Sequence, residues 1–278
     1  MRVEWEAWKP HSLQLDDRIR SAHEVQVFLG VDVLAVVPWL GEKAGAGDAP
    51  CLLDEKASLA EFETFRALRT ELTTRLEDVR GCKMVAVLSP MSGEGKSTVT
   101  ANLAKVLAMD GRKVLVFDAD MRRPTMNPNF GSTDAPDLGA VLRGEVELAR
   151  AIRRSRISGV DVVGMAAGTS HAAELAGTPA FDDAFRKLRD GYDYVVVDSA
   201  PVNQASESAL IARRCDAAVM VLRERRTSRG AAQASRRRLA GMGVRLLGVA
   251  LNAVEGPESA YGYYGYYYSY YKPRAEQS

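Results

Sequence analysis

The sequence predicts an α/β fold with three layers and a mostly parallel central sheet. Short apolar runs alternate with helical segments along the chain, a pattern typical of strands and helices packed in layers. The apolar runs are residues 84–88, 114–117, 160–163, 194–197, 217–222 and 246–251, and the helical segments are 97–109, 179–190, 205–214 and 228–241. Most runs are continuous rather than alternating, which indicates strands buried on both faces. In such folds, ligands bind beyond the carboxyl ends of the strands.

Two elements are expected before this alternation begins. Residues 21–24 (S-A-H-E) have the form of a capping box and predict a short helix that ends at Gly30. Residues 33–37 predict a strand that Pro38 stops, and residues 41–50 predict a linker because they are rich in glycine and alanine. We therefore interpret residues 1–50 as an N-terminal extension with a linker, and residues 51–255 as the main domain.

An amphipathic helix is expected over residues 56–79, and Gly81 is expected to stop it. Its apolar residues recur at steps of three and four, which places them on one face of a helix. These residues are Leu59, Phe62, Phe65, Leu68, Leu72, Leu76 and Val79.

The composition argues against several classes of protein. The formal net charge is +1, so the chain as a whole has no electrostatic attraction for nucleic acid. Cys51, Cys82 and Cys215 fit no metal-ligand spacing, and a reducing cytosol is the simplest compartment for them. No apolar run approaches the ~20 residues of a membrane span, so any membrane association is expected to be peripheral or through a partner.

Two basic runs, Arg225-Arg226 and Arg236-Arg237-Arg238, interrupt this balanced composition. We interpret them as solvated faces of a helix or loop. An anionic membrane surface or a contact between subunits would also suit them, and the sequence leaves these alternatives open.

A glycine-rich segment, P-M-S-G-E-G-K-S-T at 90–98, follows an apolar run and opens a helical segment. This is the context of a phosphate-binding loop (P-loop), in which backbone N–H groups and the positive end of the helix dipole hold phosphate. We expect Lys96 to reach the β- and γ-phosphates of ATP and Ser97 to ligate Mg²⁺. Pro90 stands where the usual pattern has its first glycine. The candidate nucleotide-binding residues are Ser92, Gly93, Glu94, Gly95, Lys96, Ser97, Thr98 and the more distant Arg122.

Aspartates follow two other apolar runs. Asp118 and Asp120 come at the end of one run, and Asp198 ends a later one in the Walker B arrangement that holds Mg²⁺. Because the carboxyl ends of parallel strands share one edge of a sheet, these carboxylates are expected beside the P-loop. Asp118 is the first choice for orienting an attacking hydroxyl group and Asp120 the second. The predicted catalytic residues are Lys96, Asp118 and Asp120, and the predicted metal ligands are Ser97, Asp118 and Asp198.

Eight of the ten tyrosines of the chain lie within eleven residues near its C-terminus. They are Tyr261, Tyr263, Tyr264, Tyr266, Tyr267, Tyr268, Tyr270 and Tyr271. We interpret residues 256–278 as a tail, because they show no helical or strand period. An ATP site and clustered hydroxyl groups on one chain suggest phosphoryl transfer to these tyrosines.

Four motifs in this order resemble the bacterial tyrosine kinases (BY-kinases) that partner polysaccharide co-polymerases. They are the P-loop, the segment V-L-V-F-D-A-D-M-R at 114–122, the segment Y-V-V-V-D-S-A-P at 194–201, and the tyrosine cluster. A further signature of the family, E-x-x-R-x-x-R, is matched by Glu63, Arg66 and Arg69 and implies a ring-like oligomer. The resemblance covers roughly residues 15–271. Ser92 and Ala200 depart from it, because the family usually has proline at both positions.

The resemblance implies a kinase that uses ATP and Mg²⁺ to phosphorylate its own tyrosine tail, in trans within a ring. It implies a role in exopolysaccharide or capsule synthesis and export. The implied partners are a membrane-embedded co-polymerase that activates the kinase, further copies of the chain and a cognate tyrosine phosphatase, with no nucleic acid. The implied location is cytoplasmic, at the inner face of the plasma membrane through a partner. The chain resembles either a family member that is separate from its activator or the excised cytoplasmic domain of a fused one.

Two other classes of function stay open. A partner-regulated P-loop ATPase of the partitioning or division-site type would share the first two motifs, although its loop usually has an additional lysine where Met91 stands. A non-catalytic adaptor with an adhesive tyrosine tail would leave Lys96 and the aspartates without a role.

Overall fold

The computed structural model describes residues 16–40, 52–53, 57–124, 136–165 and 172–255. The predicted linker at 41–50, Cys51 and all eight clustered tyrosines lie outside these ranges. Eight strands form one sheet. They are β1 (Val33–Pro38), β2 (Lys83–Leu88), β3 (Val114–Ala119), β4 (Arg153–Arg154), β5 (Val160–Gly164), β6 (Tyr194–Ser199), β7 (Ala217–Arg223) and β8 (Leu246–Val254).

The sheet has the strand order β1-β8-β7-β2-β6-β3-β5-β4. Every neighbouring pair is parallel except β4 and β5. The helices are α1 (Ala22–Leu29), α2 (Leu59–Arg75), α3 (Lys96–Met109), α4 (Leu138–Leu142), α5 (Leu148–Ala151), α6 (Ala172–Ala176), α7 (Pro179–Lys187), α8 (Ser206–Ala212) and α9 (Arg229–Gly241). The predicted α/β class with a mostly parallel sheet is therefore confirmed.

The strands are buried on both faces, as their continuous apolar sequences predict. In β2, Val85 and Val87 join a core that includes side chains of α2 and α3. The alternate residues Ala86 and Leu88 face the opposite core, which includes side chains of α1, α8 and α9. Successive strand residues point to opposite faces, so helices cover both sides of the sheet. Short elements such as β4 and α5 escaped the sequence analysis because they are too short to show a period.

The helix α2 is shorter than the predicted 56–79. It begins with a capping box, in which the Glu61 N–H donates to Ser58 Oγ at 3.2 Å and the Ser58 N–H donates to Glu61 Oε2 at 2.6 Å. Phe65 and Leu68 are fully buried as expected. Leu59 is 72% exposed, because it lies in the first helical turn, outside the part that packs on the core.

Residues 33–38, which lie before the predicted boundary at residue 50, contact the main sheet. Strand β1 pairs with β8 and forms one edge of the sheet, with Val33 opposite Val249. The Val249 N–H donates to the Asp32 carbonyl at 2.8 Å, and the Trp39 N–H donates to the Val254 carbonyl at 3.1 Å. These bonds join β1 to the edge of the main sheet.

None of the helices in the described ranges is long and apolar enough to cross a membrane.

The packing of β1 on β8 depends on a residue without a side chain. A Cβ atom at Gly248 would lie 2.5 Å from the Asp32 carbonyl oxygen and 2.8 Å from the Leu34 side chain. Gly248→Ala therefore has to displace β1 from β8, and we expect it to lower the free energy of unfolding by roughly 1–3 kcal/mol. Urea denaturation followed by circular dichroism measures this change.

Gly230→Ala in α9 is the matched control, because a Cβ atom at Gly230 would meet nothing within 4 Å. We expect this variant to be neutral or more stable by up to about 1 kcal/mol, since alanine favours the helix. Equal denaturation midpoints for Gly248→Ala and the unchanged chain would contradict close packing of β1 on β8.

Candidate active site

The P-loop joins β2 to α3 at the carboxyl edge of the sheet. Gly95 precedes α3 with a φ of +91°, a left-handed conformation that favours glycine. A Cβ atom there would also collide with the side-chain amide of Asn252, which donates to the Glu94 carbonyl at 2.9 Å. Ser92 and Gly93 are exposed, whereas Lys96 at the start of α3 is buried. The loop thus has the backbone form expected for phosphate binding.

Lys96 is surrounded by the carboxylates that the sequence analysis singled out. Its Nζ lies 3.2 Å from Asp120 Oδ2 and 3.6 Å from Asp198 Oδ2. The Ser97 hydroxyl donates to Asp198 Oδ2 at 2.6 Å. Asp118 lies opposite Asp198 in the register of β3 and β6, and both are fully buried. The structure therefore brings the predicted catalytic and metal-binding residues together at one point.

The charges of Lys96 and the neighbouring aspartates shift each other's pKa values in favour of the charged forms. Burial alone would lower the pKa of Lys96, but the nearby carboxylates of Asp198, Asp120 and Asp118 outweigh it and raise that pKa above its ordinary value. Burial raises the pKa of Asp198, while the Lys96 charge and the Ser97 hydroxyl act in the opposite direction. Lys96 therefore keeps its proton, and its charge lies among three carboxyl groups.

Three carboxyl groups surround a single ammonium group, and this excess of acidic groups suits the binding of a magnesium ion. Ser97 and Asp198 present hard oxygen atoms, the ligand type that Mg²⁺ prefers. Among the residues that the structure describes, no group of three His, Cys, Asp or Glu side chains could hold a metal ion. An ion here would complete its shell with phosphate oxygens and water, which is the usual arrangement at phosphoryl-transfer sites.

Asp118 and Asp120 have different surroundings. Asp120 Oδ1 accepts the backbone N–H groups of Arg122 and Arg123 at 3.2 and 3.0 Å, while its Oδ2 faces Lys96. The Asp120 N–H donates to Asp118 Oδ1 at 3.2 Å. Asp120 is thus fixed by the turn that follows β3 and pairs with the lysine. Asp118 is buried at the end of β3, beside Asp198 on the neighbouring strand.

Arg122, predicted to bind nucleotide, is paired with a residue that the sequence analysis missed. Its Nε lies 2.8 Å from Oε1 of Glu207, and its Nη2 lies 3.4 Å from Oε2. Glu207 is fully buried in the first turn of α8. Burial alone would raise the pKa of this carboxyl group, but the Arg122 hydrogen bonds bring it below its ordinary value. The position of Glu207 shortly after Asp198 places it near the same edge of the sheet, but no pattern in the sequence indicates its pairing with Arg122.

Glu94 braces the P-loop through its side chain. Its Oε2 accepts the Met91 N–H at 2.8 Å, and its Oε1 accepts the Thr227 hydroxyl at 2.6 Å. Burial is the largest influence and raises the pKa of Glu94, while these hydrogen bonds act in the opposite direction. Arg223, at the end of β7, donates from Nη1 to the Gly93 carbonyl at 3.1 Å. Nothing in the motif itself could have predicted these partners.

The signature residues on α2 make contacts within the chain. Arg66 Nη1 lies 2.5 Å from Glu63 Oε1, and both side chains are roughly half exposed. Arg69 Nη1 donates to the Val106 carbonyl at 3.3 Å and lies 3.5 Å from Asp110 Oδ1. Arg69 therefore joins α2 to the end of α3, which leaves Glu63 and Arg66 as the accessible part of the signature.

Fold and site together define a P-loop nucleotide-binding protein, and residues 82–233 match the AAA domain family. YwqD of Bacillus subtilis, a tyrosine-protein kinase, is 31% identical over 202 residues, which cover 72% of this chain and 85% of YwqD. The BceF tyrosine kinase domain superposes with a TM-score of 0.75 and 27% identity, covering 86% of this chain and 100% of that domain. The chain belongs to the bacterial tyrosine kinase family, as its motifs suggested.

Other relatives are much longer. EpsB of Ralstonia nicotianae is 33% identical over 202 residues, which cover 73% of this chain but 27% of EpsB. The chain therefore spans about a quarter of the length of such relatives.

The Glu94 brace makes a testable prediction. Thr227→Val keeps the shape of a buried side chain but removes the hydroxyl that donates to Glu94 and accepts the Arg223 N–H at 2.8 Å. We expect the free energy of unfolding to fall by roughly 1–3 kcal/mol, because a buried carboxylate loses a donor. We also expect weaker binding of a fluorescent ATP analogue, because Glu94 positions the loop at Met91. Urea denaturation and fluorescence titration measure the two effects.

The control is Thr70→Val on α2, where an exposed hydroxyl donates to the Arg66 carbonyl at 3.0 Å. This variant should leave nucleotide affinity unchanged. If Thr227→Val matched it in both stability and affinity, the bond between Glu94 and Thr227 would have no role in shaping the P-loop.

Proposed function

We propose that this chain is an ATP-dependent protein-tyrosine kinase that phosphorylates its own C-terminal tyrosine cluster. The observation that carries the proposal is the placement of Lys96 Nζ between Asp120 and Asp198, beside Ser97, where α3 begins. Membership of the bacterial tyrosine kinase family supports the same conclusion.

Each residue at this edge has a distinct proposed role. The P-loop backbone from Ser92 to Gly95 and the residues Lys96, Ser97 and Thr98 bind the phosphates of ATP. Ser97, Asp198 and either Asp118 or Asp120 would hold Mg²⁺, which supplies neutralisation of phosphate charge. Lys96 stabilises the negative charge that develops on the transferred phosphoryl group. Arg122 shapes the turn after β3 through Glu207.

Transfer to tyrosine requires a positioned carboxylate, because a tyrosine hydroxyl has an ordinary pKa of about 10. Asp118 is the first candidate to accept a hydrogen bond from the attacking hydroxyl and to take its proton, since Asp120 already pairs with Lys96. The tyrosine oxygen then forms a bond to the γ-phosphorus, the bond from that phosphorus to the bridging oxygen breaks, and ADP leaves. Asp120 is the alternative base.

The acceptors are the eight tyrosines between 261 and 271, served in trans by a neighbouring subunit of a ring oligomer. The exposed pair Glu63–Arg66 on α2 is the proposed contact between subunits. Each phosphate adds about −1.5 to −2 charges at neutral pH, so a heavily phosphorylated tail repels its neighbours and favours disassembly of the ring. This cycle would regulate exopolysaccharide or capsule synthesis and export.

We infer partners of three kinds for this cycle. A membrane-embedded co-polymerase would activate the kinase and hold it at the inner face of the plasma membrane, a tyrosine phosphatase would reverse the modification, and further copies would complete the ring. Similarity to YwqD, a tyrosine-protein kinase, supports the kinase class, and the family resemblance supports these partners.

Lys96→Met tests the reaction. This change removes the charge that stabilises the phosphoryl group, and we expect phosphotyrosine in the tail to disappear after incubation with ATP and Mg²⁺. Mass spectrometry of the tail peptides gives the readout. Because the change also leaves Asp120 and Asp198 without their ammonium partner, circular dichroism must show that the variant is folded. Lys113→Met, at an exposed lysine before β3, is the matched control and should keep full activity.

The outcomes separate the possible functions. Phosphotyrosine that persists in folded Lys96→Met protein would overturn the kinase proposal. Hydrolysis of ATP by the unchanged chain with no phosphotyrosine would instead favour the partner-regulated ATPase. The absence of both ATP hydrolysis and phosphotyrosine would favour the adaptor.

A mixing experiment tests the direction of transfer. The Lys96→Met chain, which keeps its tail, is incubated with an active chain that lacks residues 256–278. Transfer in trans should place phosphate on the tail of the inactive chain, because the active chain has no acceptor of its own. Active full-length chain alone confirms that the preparation works. An unlabelled tail on the inactive chain in the same mixture would show that transfer occurs within one chain.

A further inference from the structure

The helix α9 is strongly basic in a chain whose formal net charge is only +1. It contains Arg229, Arg236, Arg237 and Arg238 and no acidic residue. Arg229 pairs with Glu24 of α1, with Nη2 and Oε2 3.0 Å apart. The other three arginines are exposed, and none of their guanidinium groups has an ion pair or hydrogen bond among the described residues. Three positive charges are therefore available within one helical turn.

Exposed apolar side chains lie on the neighbouring helix α1. On α1, Val27 is 62% exposed and Phe28 is 40% exposed. The two helices are in contact, because Gln233 Nε2 donates to the Phe28 carbonyl at 3.4 Å and the Arg229 guanidinium lies 4.3 Å from the centre of the Phe28 ring. Exposed apolar side chains of α1 and exposed basic side chains of α9 thus lie in one layer of the molecule. We call the surface formed by Val27, Phe28, Arg236, Arg237 and Arg238 the α1–α9 face.

The fold itself does not require this composition. The side of α9 that packs on the core consists of Ala232, Ser235 and Leu239, which are buried. Positive charge near the C-terminal end of a helix interacts favourably with the helix dipole, but this effect is small at exposed positions and falls off within the last turn. It accounts for a basic residue at Arg238 better than for three in succession, and it gives no reason for Val27 and Phe28 to face solvent.

We propose that the α1–α9 face binds an anionic lipid surface directly. Arginine side chains near such a surface attract its headgroups, and neighbouring apolar side chains enter the boundary between headgroups and acyl chains. A nucleic acid or an acidic protein segment would satisfy the arginines and leave the exposed apolar pair without a role. This contact goes beyond the proposed kinase reaction and needs no catalysis, because the α1–α9 face contains none of the residues around Lys96.

Co-sedimentation with lipid vesicles tests the proposal, using the full chain without ATP. We expect binding to phosphatidylcholine vesicles that contain phosphatidylglycerol, little binding to phosphatidylcholine alone, and release at high salt. The double variant Arg236→Ala/Arg237→Ala should bind roughly twenty-five-fold more weakly, since each arginine near an anionic surface contributes roughly five-fold. Val27→Gln keeps every charge and should weaken binding without changing its salt dependence.

The matched control is Arg154→Ala/Arg156→Ala, which removes the same charge from exposed arginines at the β4 edge of the sheet. These two arginines have no ion pair among the residues that the structure covers, and their removal should leave vesicle binding unchanged. Alanine favours a helix more than arginine does, so the α9 variant is expected to fold.

Four results would overturn the proposal. One is absence of binding to anionic vesicles by the unchanged chain, and another is an equal loss of binding in the two double variants. The third is an effect of Arg236→Ala/Arg237→Ala on oligomeric size by light scattering with no effect on vesicle binding, which would assign the face to contacts between copies. Tighter binding to single-stranded DNA than to vesicles would likewise assign it to nucleic acid.

Discussion

The burial of one ammonium group among carboxylates constrains the functional edge of this molecule. An isolated buried charge is unstable, so Lys96 requires the carboxylates of Asp120 and Asp198 around it. Those carboxylates come from the ends of β3 and β6, while the lysine begins the helix after β2. The strand order places β6 between β2 and β3, which puts Asp198 next to the P-loop and Asp120 within reach of the long lysine side chain. The fold and the charge cluster therefore depend on each other.

The opposite side of the P-loop is held by β7 and β8. Thr227, which follows β7, donates to the Glu94 side chain. Arg223, at the end of β7, donates to the Gly93 carbonyl. Asn252 of β8 donates to the Glu94 carbonyl. A loop rich in glycine has high conformational entropy, and these side-chain bonds restrict it before any phosphate arrives. The charge cluster sets the chemistry of the site, and these outer contacts set the shape of the loop.

The sequence predicted the features that follow from short-range pattern. Continuous apolar runs located the six longer strands of the main domain, and aspartates at the ends of two of them located the charge cluster. It could not predict the pairing of Glu94 with Thr227 or of Arg122 with Glu207, because these partners lie far apart in the chain. Their contacts depend on how the crossover helices bring separate loops together. Leu59 fitted the helical period of α2 but lies beyond the packed surface, which periodicity alone does not reveal.

The pairing of β1 with β8 is hidden in the sequence for a similar reason and has a structural consequence. The apolar run at residues 33–37 predicts a strand but does not indicate which other strand it pairs with. The sequence alone therefore could not place β1 in the main sheet. In the structure, residues before α1 bond to the loop after β7: the Ile19 N–H donates to the Thr227 carbonyl at 2.9 Å, and the Arg225 N–H donates to the Ile19 carbonyl at 2.7 Å. Arg225 has a φ of +54°, uncommon for a residue with a side chain, and these bonds hold it there. Thr227 in the same loop also fixes Glu94. The loop after β7 therefore contacts both the segment at residues 16–19 and the P-loop, although more than 70 residues separate that segment from the P-loop in sequence.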